Sequence, residues 1–141
     1  MDNCVFCKIV KGEIPAEKIY EDDKVISFMD SFPRQEGHTL IIPKEHFENI
    51  FELPEDIASH VLKIGKLVAS KIKEKLKCDG LNFVQSNGEA AGQVVMHYHM
   101  HILPRYKGRD EGGAEHAMTS EIYEYKPGEG EIARIAELLK F

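Results

Sequence analysis

Residues Val94–Arg105 read V-V-M-H-Y-H-M-H-I-L-P-R, and this two-residue alternation fits one local structure, a β-strand. Val95, His97, His99, His101 and Leu103 fall on one face. Met96, Tyr98, Met100 and Ile102 fall on the other, an apolar set fit for a core. A strand is therefore expected over Val94–Leu103, with its imidazoles on an exposed face. A slip of one residue would bury the histidines, which fixes the register. Three imidazoles in a row suit either metal or phosphate chemistry.

The remaining pattern surrounds that strand with a mixed fold. A short helix is expected over Cys4–Val10, stopped by Gly12 and Pro15. Strands follow at Lys18–Glu21 and Val25–Asp30, with Asp22-Asp23 as their turn. Ser31–Gly37 is a loop by composition, and Thr39–Ile42 a buried strand ending at Pro43. Leu53–Leu76 is the strongest helix, because Ile57, Val61, Ile64, Val68 and Ile72 recur at three- and four-residue steps. That stripe must pack on a sheet or on another subunit. Leu81–Ser86 reads as a strand, Asn87–Gly92 as a turn or loop, Arg105–Gly113 as a loop and Ile132–Leu139 as a short helix. The sum is an α+β fold: an antiparallel sheet of about five strands, one long helix and short terminal helices.

At 141 residues the chain is expected to form a single domain able to bury a core unaided. A net charge of -6 argues against a dedicated nucleic-acid or anionic-membrane surface, while leaving a local cluster able to bind a small phosphate. No apolar run approaches the roughly 20 residues of a membrane helix. Met1-Asp2-Asn3-Cys4 does not open like a secretory signal, so the cytoplasm is the expected location. Three cysteines make a poor disulfide framework there. Cys78 reads as a free thiol, His60 and His116 as a helix-surface and a loop histidine, and Lys71–Lys77 as a solvated helix end.

Two constellations carry chemistry. Cys4-x-x-Cys7 has the spacing of half a zinc site, with a redox pair and packed thiols as competing readings; His46 and the histidine strand offer further ligands. His97-x-His99-x-His101 fits a metal triad, nucleophilic attack on phosphorus, or a merely polar strand face. The small-residue loop Asn87–Gln93 favours phosphate, since its backbone N–H groups can approach an anion. Asn87 and Gln93 are neutral hydrogen-bonding groups suited to a phosphate or a leaving group. Glu89 could act as a general base, which keeps a metal hydrolase in play.

Several blocks in order resemble the histidine triad (HIT) family of nucleotide hydrolases and transferases, in its Hint-like, zinc-binding branch. They are Phe28-Met29-Asp30, Gly37–His46, Asn87, Gly92-Gln93 and His97-Tyr98-His99-Met100-His101-Ile102-Leu103. The resemblance runs from about Cys4 to Arg105, so residues 1–141 are expected to be one HIT domain, with a core at about 4–105 and a C-terminal extension over 106–141.

The resemblance implies that His99 attacks the α-phosphorus of an AMP-linked substrate, such as a purine nucleoside phosphoramidate. His101, His38 and Gln93 would complete the catalytic set. Asp30, Ser31, Asn87, Gly92, Gln93 and Val94, together with His99 and His101, would bind the nucleotide. It also implies a structural Zn2+ on Cys4, Cys7, His46 and His97, and a homodimer. A dinucleoside polyphosphate hydrolase and a non-catalytic nucleotide-binding protein are the alternatives. Val94 departs from the pattern, since Ser or Thr often follows Gly-Gln in the family.

Overall fold

The computed structural model describes residues 3–109 and 125–141. Helix α1 (Val5–Val10) is capped by Cys4, whose Sγ accepts the Cys7 amide hydrogen at 3.4 Å. Strands β1 (Lys18–Glu21) and β2 (Val25–Met29) are joined at Asp22, whose Oδ1 accepts the amide hydrogens of Lys24 and Val25, each at 2.8 Å. Strand β3 (Thr39–Pro43) precedes the long helix α2 (Glu55–Leu76). Strand β4 (Gly80–Val84), a 3-10 turn at Glu89–Ala91, strand β5 (Met100–Arg105) and helix α3 (Glu131–Leu139) follow. The strands form one antiparallel sheet in the order β1-β2-β3-β5-β4. This is the α+β arrangement expected from the sequence.

Packing on both faces of the sheet explains why β2 and β3 are buried at every position. On one face, Val61, Ile64, Val68 and Ile72 of α2 pack with Val25, Ile41, Met100 and Ile102, so the helical stripe covers its own sheet. Gly65 lets the helix approach closely, since a Cβ there would stand 3.0 Å from Met100 Cε. Helix α3 adds Ile135, Ala136 and Leu139 to the same layer. On the other face, Phe6 of α1 packs with Ile26, Phe28, Leu40 and Ile42. Helix α1 has only six residues, and among the described residues this second face is partly open at His99 and His101, both half-buried. The register pairs Leu40 with His101, which places His101 on that partly open face.

The histidine segment differs from its expected form. Strand β5 begins at Met100, not Val94, so His97 and His99 lie in the extended approach to the sheet. The Tyr98 amide donates to the Phe47 carbonyl at 2.7 Å instead of joining a ladder between strands. Nor do the histidines share an exposed face: His97 is fully buried, and Leu103 is buried with it. Met96, expected in the core, is 37% exposed.

Smaller corrections have equally local causes. The sheet ladder opposite β5 runs from Gly80 to Val84, displacing β4 from its expected span. His60 is not a bare surface histidine, because its Nε2 lies 2.6 Å from Asp22 Oδ2. Lys71 is not simply solvated: its ammonium donates to the Lys140 carbonyl at 2.6 Å and sits over the Phe141 ring. His116 and the end of the expected 105–113 loop lie outside the described residues.

Candidate active site and metal centre

The turn that opens α1 brings Cys4 and Cys7 to the same side, facing the segment before β5. Cys7 Sγ lies 3.3 Å from His46 Nδ1 and 3.6 Å from His97 Nδ1, and Cys4 Sγ lies 3.4 Å from His97 Nδ1. All four ligand atoms fall within 4.8 Å of one another. A tetrahedral zinc with bonds of about 2.3 Å to sulfur and 2.0–2.1 Å to nitrogen needs S···N edges of about 3.5 Å, so the donor set fits that ion. His97 is prepared for ligation in a second way. Its Nε2–H donates to the Pro43 carbonyl at 2.9 Å, which leaves the Nδ1 lone pair directed at the sulfurs. Burial first, opposed by that hydrogen bond, lowers the pKa of His97 to about 4 and keeps the ring neutral. The Cys2His2 cluster expected from the sequence is therefore assembled, and it is compatible with structural zinc.

The second group stands on the partly open face. His99 Nδ1 lies 2.7 Å from the His97 carbonyl. A carbonyl can only accept, so the proton is on Nδ1 and the Nε2 lone pair is free to act as a nucleophile. A chain of the opposite polarity fixes His101. The Arg34 amide donates to His38 Nδ1 at 3.1 Å, so the proton of neutral His38 is on Nε2. His38 Nε2 is 2.9 Å from His101 Nδ1 and donates to it, which leaves the proton of His101 on Nε2. The adjacent rings, with centroids 5.1 Å apart, thus carry complementary equipment: His99 a lone pair, His101 a proton.

Electrostatics keeps this set neutral. Burial lowers the pKa of His99, against the opposing effects of its hydrogen bond to the His97 carbonyl and the Asp30 charge. Burial, then the nearby His99 and Arg34, bring His101 down to about 4. Burial also holds His38 well below the ordinary imidazole value, helped by His101, Arg34 and Arg105. Asp30 stands beside the group, with Oδ2 3.5 Å from His38 Nε2 and Oδ1 accepting the Phe32 amide hydrogen at 2.8 Å. Burial raises its pKa despite that hydrogen bond and the Arg34 and His99 charges.

The loop residues are placed differently. The Gln93 amide is engaged at both ends: Oε1 accepts from the Gly88 amide at 2.7 Å, and Nε2 donates to the Glu48 and Val95 carbonyls. Asn87 Oδ1 accepts from the Ile50 and Gln85 nitrogens, both at 2.8 Å. Both side chains hold the loop in shape. Gly92 has φ +88°, closing the turn that delivers Val94, which is 87% exposed. Ser31 is exposed and directly follows Asp30.

Three contributors were missed in the sequence. The Arg34 amide and the Pro43 carbonyl act through main-chain atoms, which leave no trace in residue identity. Phe6 meets His97 and His99 edge-on, with centroids 5.8 and 5.1 Å apart. Its position between the two cysteines was the available signal.

Comparisons with known proteins agree with this arrangement. The HIT domain model matches residues 11–108. The chain is 44% identical over 126 residues to the protein hit of Bacillus subtilis, covering 89% of this chain and 86% of that one. It is 42% identical over 111 residues to an adenosine 5'-monophosphoramidase of Candida albicans, covering 73% and 70% respectively. A zinc-bound histidine triad family protein of Mycobacterium smegmatis superposes with a TM-score of 0.81 at 33% identity, over 98% of this chain and 94% of that one. The chain belongs to the HIT domain family, and with its histidine triad in place it is a hydrolase acting on phosphorus–nitrogen or phosphoanhydride bonds of nucleotides.

Proposed function

We propose that the chain cleaves AMP-linked substrates, purine nucleoside phosphoramidates foremost, through a covalent nucleotidyl-histidine. The opposite tautomers of His99 and His101 carry this reading, because they place a nucleophile and a hydrogen-bond donor on adjacent rings. In the first step His99 Nε2 bonds to the α-phosphorus and the bond from phosphorus to the leaving nitrogen breaks. The departing nitrogen accepts a hydrogen bond from the Nε2–H of His101, which keeps its proton, and is protonated by a water molecule that is left as hydroxide; the N–H of His38 holds the His101 tautomer. In the second step a water oxygen bonds to phosphorus and the P–N bond to His99 breaks. The proton of that water neutralises the hydroxide left by the first step, and AMP leaves. Splitting one displacement into two lowers the barrier to each.

The other parts follow from their places. Asp30 accepts from the ribose hydroxyls, with Ser31 beside it. The Gly92 and Gln93 amides close the turn on the Glu89 and Gly88 carbonyls, and Val94 offers its main-chain N–H to the phosphate, a role it fills without a hydroxyl. Gln93 and Asn87 act by holding that turn in place. Cys4, Cys7, His46 and His97 would hold zinc, which would supply a structural clamp between α1 and the start of the histidine segment. The same reading includes residues 1–141 as one domain, a homodimer and a cytoplasmic location. No helix among the described residues is long and apolar enough to cross a membrane.

The test is intact-protein mass spectrometry after a rapid quench with an adenosine 5′-phosphoramidate, beside His99→Ala. An AMP adduct with turnover in the parent, and neither in the variant, supports the proposal. Turnover that survives in the variant without an adduct would transfer the chemistry to activated water.

A further inference from the structure

Cys4 caps α1 and Cys7 lies on its first turn, with the Cys7 amide hydrogen directed at Cys4 Sγ at 3.4 Å. Both are free thiols, and their sulfurs lie within 4.8 Å of each other. Their surroundings are unequal: Cys7 is buried, while Cys4 is only half-buried and open to small reagents. A C-x-x-C pair with one accessible and one sheltered sulfur has the layout of an attacking and a resolving thiol. The third cysteine, Cys78, is buried in the core layer of α2 and belongs to a different part of the fold.

The state of these two sulfurs bears on the reacting group. Cys4 Sγ and Cys7 Sγ lie 3.4 and 3.6 Å from His97 Nδ1, and Cys7 Sγ lies 3.3 Å from His46 Nδ1. The His97 carbonyl in turn accepts the Nδ1 proton of His99 at 2.7 Å. Residues three apart on a helical turn have Cβ atoms about 5–6 Å apart, whereas a disulfide brings them to about 3.5–4.5 Å. Closing the bond therefore shifts the sulfurs from the positions that face the imidazoles. A disulfide sulfur also carries no negative charge, and the thiolate is the form that binds a metal. Phe6, between the cysteines, passes the movement on, since its ring meets both His97 and His99 edge-on.

We propose that Cys4 and Cys7 are an oxidation-sensitive pair, closed to a disulfide by a hydroperoxide with release of zinc and loss of hydrolase activity. This rests on the zinc ligand set of the proposed function. Cys4 Sγ attacks one oxygen of hydrogen peroxide: an S–O bond forms, the O–O bond breaks and hydroxide leaves. The Cys7 thiolate then attacks Cys4 Sγ: the S–S bond forms, the S–O bond breaks and a second hydroxide leaves. The two thiolates together lose two electrons, and the peroxide gains them. His46 and His97 alone make half a tetrahedral shell, too few ligands to keep the ion. A dithiol reopens the bond by thiol–disulfide exchange.

The test uses the full chain, purified with zinc, carrying Cys78→Ala so that Cys4 and Cys7 are the only thiols of the three cysteines left. Hydrogen peroxide is added, and intact mass, free thiols, zinc released to a chromogenic chelator and adenosine 5′-phosphoramidate turnover are read on the same samples. The expected result is a mass lower by two hydrogens, both thiols lost, zinc released and turnover down about tenfold or more. Dithiothreitol with added zinc restores all four. If Cys78→Ala does not fold, peptide mapping of the oxidised parent places the disulfide between Cys4 and Cys7. Oxygen atoms gained at Cys4 with no disulfide would overturn the proposal. So would zinc kept through the oxidation, or turnover that is unchanged by the disulfide or not restored by dithiothreitol. A parent without turnover would defeat the substrate reading alone, since the mass and zinc readings still decide this one. A chain that takes up no zinc would remove the ligand set, and this inference with it.

Discussion

His99 donates its Nδ1 proton to the main-chain carbonyl of His97, 2.7 Å away, while the His97 side chain points its own Nδ1 at the two cysteine sulfurs. One residue therefore serves the metal cluster with its ring and the nucleophile with its backbone. Whatever holds the His97 ring also holds the tautomer of His99.

Cys7→Ser should lower both zinc content and kcat/KM, the latter by about 10–100-fold, the usual cost of disturbing a group that orients a metal or catalytic ligand. Metal analysis and nitrogen-15 shifts of the His99 ring, read together, check the coupling. Zinc lost with both the His99 tautomer and activity intact would separate the two sites.

The acid limb of kcat/KM should lie below the ordinary imidazole value of about 6.5. His101 is brought down to about 4 by burial, then by His99 and Arg34, and His99 is lowered in the same direction. The sign for stability follows. The unfolded chain takes up the His101 proton first as pH falls. The stability contributed by neutral His101 is full above about 6.5 and is lost as pH falls toward about 4. A pH–rate profile with its limb at the ordinary imidazole value would refute this environment for the pair.

Asp22→Ala should destabilise the fold by about 1.5–3 kcal/mol, since its carboxylate ties the β1–β2 turn to α2 with charge-assisted hydrogen bonds. It accepts from the Val25 and Lys24 amides, Tyr20 Oη and His60 Nε2. Burial pushes its pKa up, but those hydrogen bonds outweigh burial and hold it below the usual carboxylate range. Its contribution is present above the unfolded value of about 3.9 and is lost as pH falls through the lower folded value. Urea melts of parent and variant at pH 7 and pH 3 should therefore differ less at the lower pH.

Gly37→Ala should cost about 2–4 kcal/mol, because φ is +88° and a Cβ would stand 2.5 Å from Leu76 Cδ1 and 3.1 Å from Pro104 Cγ. The turn also places His38, so surviving activity should fall along with the melting temperature. An unchanged melting temperature would show that Leu76 yields without cost.

Much of the fold was legible because single-residue chemistry controls it. The Ile57–Ile72 stripe names α2, and the mostly apolar runs of β2 and β3, broken by Ser27 and opened by Thr39, follow from burial on two faces. The Cys4, Cys7, His46 and His97 set was reached through resemblance, since spacing alone left redox and packed-thiol readings open. The start of β5 was misread because an extended segment and a strand share the same side-chain alternation, and only the ladder hydrogen bonds distinguish them. Tautomers were unreadable for a related reason: carbonyls of His97 and Pro43 and the amide of Arg34 set them. His60 looked like an ordinary surface residue until folding brought Asp22, 38 positions away, within reach.

The end of the chain bears on how copies could meet. The Phe141 amide donates to the Ile19 carbonyl at 3.0 Å, and its ring stands edge-on to Tyr20 with centroids 5.5 Å apart, so the chain end meets β1 at Ile19 and Tyr20. Among the described strands, β4 forms the other end of the sheet. Growth by strand addition at both ends would build an open filament; the Phe141 contact disfavours it at β1, so strand addition between copies would pair β4 with β4. Such a contact is isologous and stops at two copies.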